Sequence, residues 1–433
     1  MAERSARRYD DDLPDDQRSP FQRDRDRILY TTAFRRLAGI TQVVSPNERP
    51  PVHNRLTHTL EVAQVARRLA EKICAEIVSA RTRGACPIDP DVVEAAALAH
   101  DLGHPPFGHI AEAELDRLAT SSDDHDGYNG NAQSFRILAK LAVRTTGADG
   151  LNLTRATLDA VLKYPWFRPT AGSNRFKWGA YHSEEELARW VRPDDSWDGS
   201  AQPCPEASIM DWADDIAYAV HDVEDFYRAG LIPLDRLATD EAERRRLLDA
   251  RTGALSLGKS ETNITQVLDE FTEVIPLLEP YAGTREQRAL LRGWTSTLIG
   301  RYIGAMTWSV VDNGHLHLAI APRAELEVAM LKQLTWHYVI ERESLATQQY
   351  GQRKMIRTLF ETLRDDAHAT SGGKNKRYTL FPPYYRELLE QAADDAERTR
   401  LVIDLIASMT EHQVVDTYQR LTGIAQGSAF DLL

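Results

Sequence analysis

AAALAHDLGHPPFGH, residues 95–109, decides the fold of this chain. Its alanine-rich beginning continues a helical pattern that starts at Asp89-Pro90: aspartate as N-cap, then proline at the first helical position, where its missing N–H costs nothing. The helix runs to His100-Asp101 and stops at Gly103 and Pro105-Pro106. A helix thus holds two polar side chains firmly while the broken backbone beyond them opens a cavity. Upstream, RLTHTLEV supplies His58; downstream, IMDWADDIAYAVHDVED supplies Asp214 and Asp215. Two imidazoles and two carboxylates form a mixed nitrogen and oxygen set that suits a borderline or hard divalent ion, with positions left for water and substrate. A His-Asp dipeptide alone says little, and His221-Asp222 is a second copy in the same chain. The order H…HD…D, with each piece on a helical pattern, carries the argument.

Outward from that stretch the pattern stays helical. Leu60, Val62, Val65, Ala66, Leu69, Ile73 and Ile77 recur at mainly three- and four-residue steps. An amphipathic segment follows the turn from about 107 to 119, and TSSDDHDGYNG (120–130) reads as a polar loop. Residues 164–205, rich in Trp, Pro, Gly and Asp, predict a long irregular excursion with one short helix near Ser183–Val191; loops of such length are usually functional or linkers. Helical periodicity returns at 206–229, 262–280, 286–313, 323–365 and 398–421, with the turn SGGKNKR (371–377) between the last two. No strand-rich block, repeat or clean linker interrupts this, so an all-α globule is expected, with room for a short hairpin around 43–53 or 312–322. Residues 1–20 read as a charged, mobile arm and 21–433 as a single domain, with a metal-site core at about 54–230 and a C-terminal helical part at about 260–433.

Composition bounds the function. At 433 residues and 42% hydrophobic content the chain can bury a sizeable core. A formal net charge of −13 excludes a general polyanion-binding surface, so any phosphate site must gather its arginines locally. Cys74, Cys86 and Cys204 lack CxxC spacing and are odd in number, which points to a reducing cytosol rather than a disulfide scaffold. The N-terminus has no apolar core of a signal peptide, and no run approaches the ~18 apolar residues of a membrane span, so a soluble, cytoplasmic protein with no membrane partner is expected.

The segments RSPFQRDRDRI (18–28), FRRL (34–37), NRLTHTLEV (54–62), HDLGHPPFGH (100–109), NGNAQSFRIL (129–138), LKYPW (162–166) and ADDIAYAVHD (213–222) occur in that order. Together they resemble the HD-domain deoxynucleoside triphosphate triphosphohydrolases, the bacterial dGTPase-like family. Weaker matches, RESLATQQYGQ (342–352) and MTEHQVVDTY (409–418), extend the resemblance towards the C-terminus. It implies an HD-domain helical globule with additional C-terminal helices and a long irregular insertion. It also implies a homo-oligomer, a hexamer or other multiple of dimers, with nucleic acid entering only as a regulator.

The resemblance also assigns residues. Neighbours on a helix point about 100° apart, so Asp214 and Asp215 compete for one metal position. Asp214, Tyr218 and Asp222 share a face at i, i+4 and i+8, and in the family the ligand aspartate is followed at that spacing by a tyrosine and an aspartate that contact the sugar. His58, His100, Asp101 and Asp214 are therefore the expected ligands. His109 and Glu112, three apart, share a helical face and can act as a proton-transfer group and its orienter. The family analogy gives His109 the leaving 5′-oxygen, with His104 and Glu112 in support. Arg55, three residues before His58, can meet phosphate oxygens bidentately. Arg342 and Tyr350, eight apart on one predicted helix face, resemble the family's phosphate-contacting arginine and sugar- or base-packing tyrosine; Gln42 sits where relatives recognise the sugar 3′-hydroxyl. Arg23, Arg25, Arg27, Arg35 and Arg36 read instead as structural or subunit-contact residues. One departure stands out: the vertebrate relative has a lysine directly after the fourth ligand, where this chain has Asp215, as in the bacterial branch.

The expected activity is metal-dependent hydrolysis of a dNTP such as dGTP to deoxynucleoside and inorganic triphosphate, by water attack at the α-phosphorus. Mg or Mn is the expected ion in assay; the donor set also admits Fe, Co, Ni or Zn. Two rivals are an HD phosphohydrolase acting on another nucleotide, and a nucleotide-sensing or single-strand nucleic-acid-binding protein with a vestigial site. Tripolyphosphate, orthophosphate or no product separates the three.

Overall fold

Capping residues set the helix boundaries that place the site. A computed structural model describes residues 3–10, 16–42, 53–80, 86–122, 126–169, 176–255, 261–310, 316–369 and 379–425. Helices α1 (Pro20–Leu29) and α2 (Thr32–Arg36) precede α3 (Arg55–Ser79), α4 (Pro90–Ala99) and α5 (His109–Thr120). Asn54 closes a capping box with Thr57 at the start of α3, and the Asp89 side chain accepts the Asp91 N–H at the start of α4. Then come α6 (Gly130–Arg136), α7 (Arg155–Val161), α8 (Glu185–Val191) and α9 (Pro205–Arg228), which opens on proline at N1. The chain continues through α10 (Leu234–Thr239), α11 (Glu241–Leu255), α12 (Glu261–Glu273) and α13 (Arg285–Gly304). An antiparallel hairpin of β1 (Met306–Val310) and β2 (Leu316–Ile320) leads to α14 (Pro322–Thr335), α15 (Glu343–His368), α16 (Pro383–Gln391), α17 (Asp395–Ser408) and α18 (Glu411–Leu421).

Two apolar clusters meet at the site. In the first, α3 packs on α4 and α9, burying Val62, Val65, Leu69 and Ile73 against Val92, Val93, Ala96, Ile216 and Val220. Each buried isoleucine or leucine stabilises by about 1.5–3 kcal/mol. In the second, Ala111, Leu115 and Leu118 of α5 pack with Ile356, Phe360, Leu401 and Ile406 of α15 and α17. The HD dipeptide thus ends a helix of one cluster, while His109 begins a helix of the other. Buried Arg136 at the end of α6 joins the halves: its Nη2 donates to Asp404 Oδ2 of α17 at 2.8 Å, and its Nη1 reaches Glu184.

The all-α class holds, and among the described residues the hairpin is the only sheet. It replaces the end of the helical span expected over 286–313, because Thr307, Trp308 and Val310 favour the extended pairing with Leu316–Ile320. The 323–365 span is not one helix either: a π-helical turn, Trp336–Ile340, separates α14 from α15. The short helix near 183–191 is present. The turn at 371–377 and most of the 43–53 hairpin candidate lie outside the described residues.

Two further expectations are corrected. The described part of the N-terminal arm lies against the core: Arg7 pairs as an isolated bridge with Thr154 and its Nη1 donates to Asp24 at 2.6 Å, while Arg4 reaches buried Glu206. Its charges find buried carboxylates across the fold, a long-range pairing that local composition does not reveal. Cys74 and Cys86 are joined as a disulfide, their Cα atoms 5.5 Å apart, because the end of α3 and the run into α4 return to within bridging range. Cys204 is free. No helix among the described residues is long and apolar enough to cross a membrane.

Candidate metal and catalytic site

Helices α3, α4 and α9 bring His58, His100, Asp101 and Asp214 to one point. Donor atoms of His58, His100 and Asp101 all lie within 4.8 Å of one another. Asp214 Oδ1 is 3.1 Å from His58 Nε2 and 3.7 Å from His100 Nε2, and Asp101 Oδ1 is 3.4 Å from His100 Nε2. His100 Nδ1 lies 2.7 Å from the Ala97 carbonyl, a contact that fixes the proton on Nδ1 and leaves the Nε2 lone pair facing the carboxylates. That Nε2 is buried without a hydrogen-bond partner. An orphaned imidazole nitrogen among two carboxylates and a second imidazole fits a divalent cation.

Charge around this point is graded. Burial pushes the Asp101 carboxyl up, but Arg55, His100 and His104 outweigh it and hold it well below the usual carboxylate range. Arg55 is itself buried, its Nη1 donating to Asp101 Oδ2 at 2.8 Å. For Asp214, burial likewise acts upward, and Lys163 with His58 and His100 brings the carboxyl well below its ordinary value. Asp215 turns away to an ion pair with Lys332 of α14. Burial raises Asp215, with Asp211 adding to the effect and Lys332 opposing it. Further along the same face, Tyr218 and Asp222 both feel Arg55. Burial, then Asp225, pushes Asp222 well above its ordinary value, and its Oδ2 is buried without a partner.

The Gly- and Pro-rich turn positions the second group. Gly103 has no room for a side chain: a Cβ there would lie 2.2 Å from the Gly130 carbonyl oxygen. Phe107 and Gly108 both take positive φ, 67° and 58°, and swing the chain into α5 with His109 as its first residue. His109 Nδ1 is 2.9 Å from Glu112 Oε2, and Glu112 Oε1 accepts the Gly130 N–H at 2.8 Å. Burial opposes the Glu112 charge, yet His109, His104 and the Gly130 amide bring its carboxyl down to about 2. His104 Nδ1 lies 3.0 Å from Asp101 Oδ1, so His104 touches the metal donors on one side and the His109–Glu112 pair on the other. Burial, then Arg55, lowers the His104 imidazole. His109 is 72% exposed and its ring stands 5.7 Å from that of His104.

Other candidates are less gathered. Gln42 ends a described segment, with Thr41 bridged to Asn54 at the start of α3 and the Gln42 Oε1 buried without a partner. Arg342 does not share a helical face with Tyr350: it is the extended N-cap residue of α15, its Nε donating to the Tyr338 carbonyl at 2.7 Å. The expected face fails because α15 starts one residue later. Tyr350 is 74% exposed on α15.

Several residues escaped sequence reasoning. Lys163 pairs with Asp211 and lies 3.4 Å from Asp214 Oδ2; the LKYPW segment was the signal for it. Lys332 had no local signal. Arg36, by contrast, was read as structural, and its buried Nη2 donates to the Leu102 and His104 carbonyls at 2.7 Å. One turn beyond His58, Glu61 meets two imidazoles, His53 Nε2 at 3.0 Å and His221 Nδ1 at 2.6 Å, while His53 Nδ1 is 2.5 Å from Asp225. Burial works against a charged His53, but the two carboxylates prevail and push it up to about 10.

The chain resembles known proteins over most of its length. Residues 55–219 match the HD domain, and residues 318–420 match the phosphohydrolase-associated domain. The chain is 40% identical to a deoxyguanosinetriphosphate triphosphohydrolase-like protein of Streptomyces coelicolor, over 94% of this chain and 93% of that protein. It is 37% identical to one of Corynebacterium efficiens, over 95% and 93%, and 31% identical to one of Vibrio vulnificus, over 96% of each. With an all-α HD core, an associated C-terminal domain and similarity over nearly its whole length, the chain belongs to the HD-domain phosphohydrolases, in the family of deoxyguanosinetriphosphate triphosphohydrolase-like proteins.

Proposed function

We propose that this protein hydrolyses a dNTP, dGTP or a close analogue, to the deoxynucleoside and inorganic triphosphate. The observation that carries the reading is the adjacency of two groups: the donors His58, His100, Asp101 and Asp214, and, across His104, the His109–Glu112 pair. His58, His100, Asp101 and Asp214 would hold a divalent ion, which when bound would supply Lewis-acid polarisation of phosphate oxygens and a lowered pKa for nearby water. Mg or Mn is the proposed ion in assay, and the same donors accept Fe, Co, Ni or Zn.

The chain's own residues do the rest. Water oxygen bonds to the α-phosphorus and sheds a proton to solvent as the bond from phosphorus to O5′ breaks, and the leaving oxygen takes a proton from His109, which regains one from solvent. Glu112 holds His109 through Nδ1, so that Nε2 is the atom that delivers the proton. Arg55 and Lys163, cations beside the carboxylate donors, neutralise phosphate oxygens. Asp222 Oδ2 and Gln42 Oε1, buried polar atoms without partners, are suited to sugar hydroxyls, with Tyr218 packing on the ring. Assembly as a homo-oligomer, a hexamer or another multiple of dimers, belongs to the same reading.

Purified protein with dGTP and Mn or Mg, its products resolved by anion exchange, tests the proposal. Deoxyguanosine and tripolyphosphate in equal amounts are expected. Pyrophosphate or orthophosphate as the primary product overturns cleavage of the bond from the α-phosphorus to O5′.

A further inference from the structure

We infer that Glu411, the first residue of α18, is a positioning residue that ties the C-terminal helices to the turn carrying His109; the inference rests on the proposed role of His109. One carboxylate oxygen does this. Glu411 Oε1 accepts the Thr41 N–H at 2.8 Å and the Phe107 N–H at 3.1 Å. Those amides belong to segments far apart in sequence, one directly before Gln42, the other two residues before His109. Phe107 has φ 67°, a left-handed conformation that a bulky side chain adopts only when its surroundings impose it. A carboxylate accepts both N–H groups more strongly than a neutral oxygen.

Neighbouring contacts show that the whole stretch 409–411 is docked there. A Cβ on Gly39 would sit 2.8 Å from Thr410 Cγ2, so glycine at 39 lets the start of α18 approach. Arg36 closes the other side, its Nη1 donating to the Met409 carbonyl at 3.2 Å while Nη2 holds the Leu102 and His104 carbonyls. The segment before Gln42 and the turn 102–107 are thus held against the same three residues. None of these contacts involves a metal donor. Loss of Glu411 should therefore leave the ion in place and let His109 and Gln42 drift relative to it. The competing account is that Glu411 is only an acidic residue in the first turn of a helix, interacting with its dipole.

The test compares Glu411→Ala and Glu411→Gln with the parent protein, using dGTP and Mn turnover, bound metal per chain, and amide hydrogen exchange. In Glu411→Ala, exchange should quicken together in the segments holding Thr41 and Phe107, with metal content unchanged. Its kcat should fall about 10- to 100-fold, the cost of an ångström-scale misplacement, and KM for dGTP should rise. Glu411→Gln, whose amide oxygen can take both N–H groups, should stay within about threefold of the parent. Unchanged exchange at both segments, faster exchange confined to α18, or a glutamine variant no better than alanine overturns the inference. If the parent makes no tripolyphosphate, the proposed reaction falls, and the exchange data alone decide whether Glu411 braces the turn.

Discussion

Replacing Glu112 by glutamine exchanges one carboxylate oxygen for an amide group, and the structure says which way the new group must turn. Glu112 Oε1 accepts the Gly130 N–H at 2.8 Å while Oε2 faces His109 Nδ1 at 2.9 Å. The Gly130 N–H needs an acceptor, so the glutamine oxygen stays with it and the NH₂ faces His109. Nδ1 must then accept, which moves the imidazole proton to Nε2 and removes the carboxylate that stabilised an imidazolium. A neutral imidazole is a poor proton donor to a departing alkoxide. Loss of the charge and the tautomer together should lower turnover by about 10²–10⁴, equivalent to about 2.7–5.4 kcal/mol of barrier. His109→Ala should fall in the same range with metal and nucleotide affinity retained, and the double variant should be no slower than His109→Ala, since two residues acting as one unit are not additive. Single-turnover hydrolysis of dGTP, with metal content and nucleotide binding measured on the same preparations, supplies the rates. Turnover of Glu112→Gln within about twofold of the parent, or losses that multiply in the double variant, would refute the pairing. Loss of metal with activity in His109→Ala would move His109 among the ligands and make His104 the next proton donor.

Three further outcomes are expected. Asp214→Ala should lose its bound ion while Asp215→Ala keeps it, because Asp214 faces His58 and Asp215 faces Lys332; elemental analysis showing equal loss would mean that the helical phase was misread. His53 is raised from an ordinary 6.5 to about 10, so its contribution, on the order of a few kcal/mol, is fully present below about pH 6.5 and lost as pH rises towards 10. Urea unfolding from pH 6 to 10 should show that decline in the parent and a flatter profile in His53→Gln. Asp404→Ala should destabilise by about 3–5 kcal/mol, because it strips a charge partner from buried Arg136, and a urea midpoint like the parent's would contradict it.

What was legible in the sequence was local. Asp89-Pro90 announced α4, and Gly103 with Pro105-Pro106 announced its end, because capping and backbone breaking are properties of neighbouring residues. The convergence of His58, His100, Asp101 and Asp214 was also readable, since the phases of α3 and α9 and the end of α4 fix where each points. Long-range pairings were not. Glu411 reaches Phe107, His53 reaches Asp225, and Arg4 reaches Glu206 across more than a hundred residues, with no periodicity to announce them. The Cys74–Cys86 bridge was missed because a twelve-residue separation carries no redox or metal signature. Helical spacing also ran past its true ends: Arg342 looks like part of α15 by pattern and is its extended N-cap residue in the fold.

The central claim is that water attacks the α-phosphorus while His109 serves the departing 5′-oxygen. Hydrolysis of dGTP in ¹⁸O-labelled water, followed by mass spectrometry of both products, tests it most directly. One labelled oxygen per tripolyphosphate and none in deoxyguanosine is the result predicted. Label in deoxyguanosine, which places the attack at carbon 5′, or label in orthophosphate with dGDP as co-product, would contradict it.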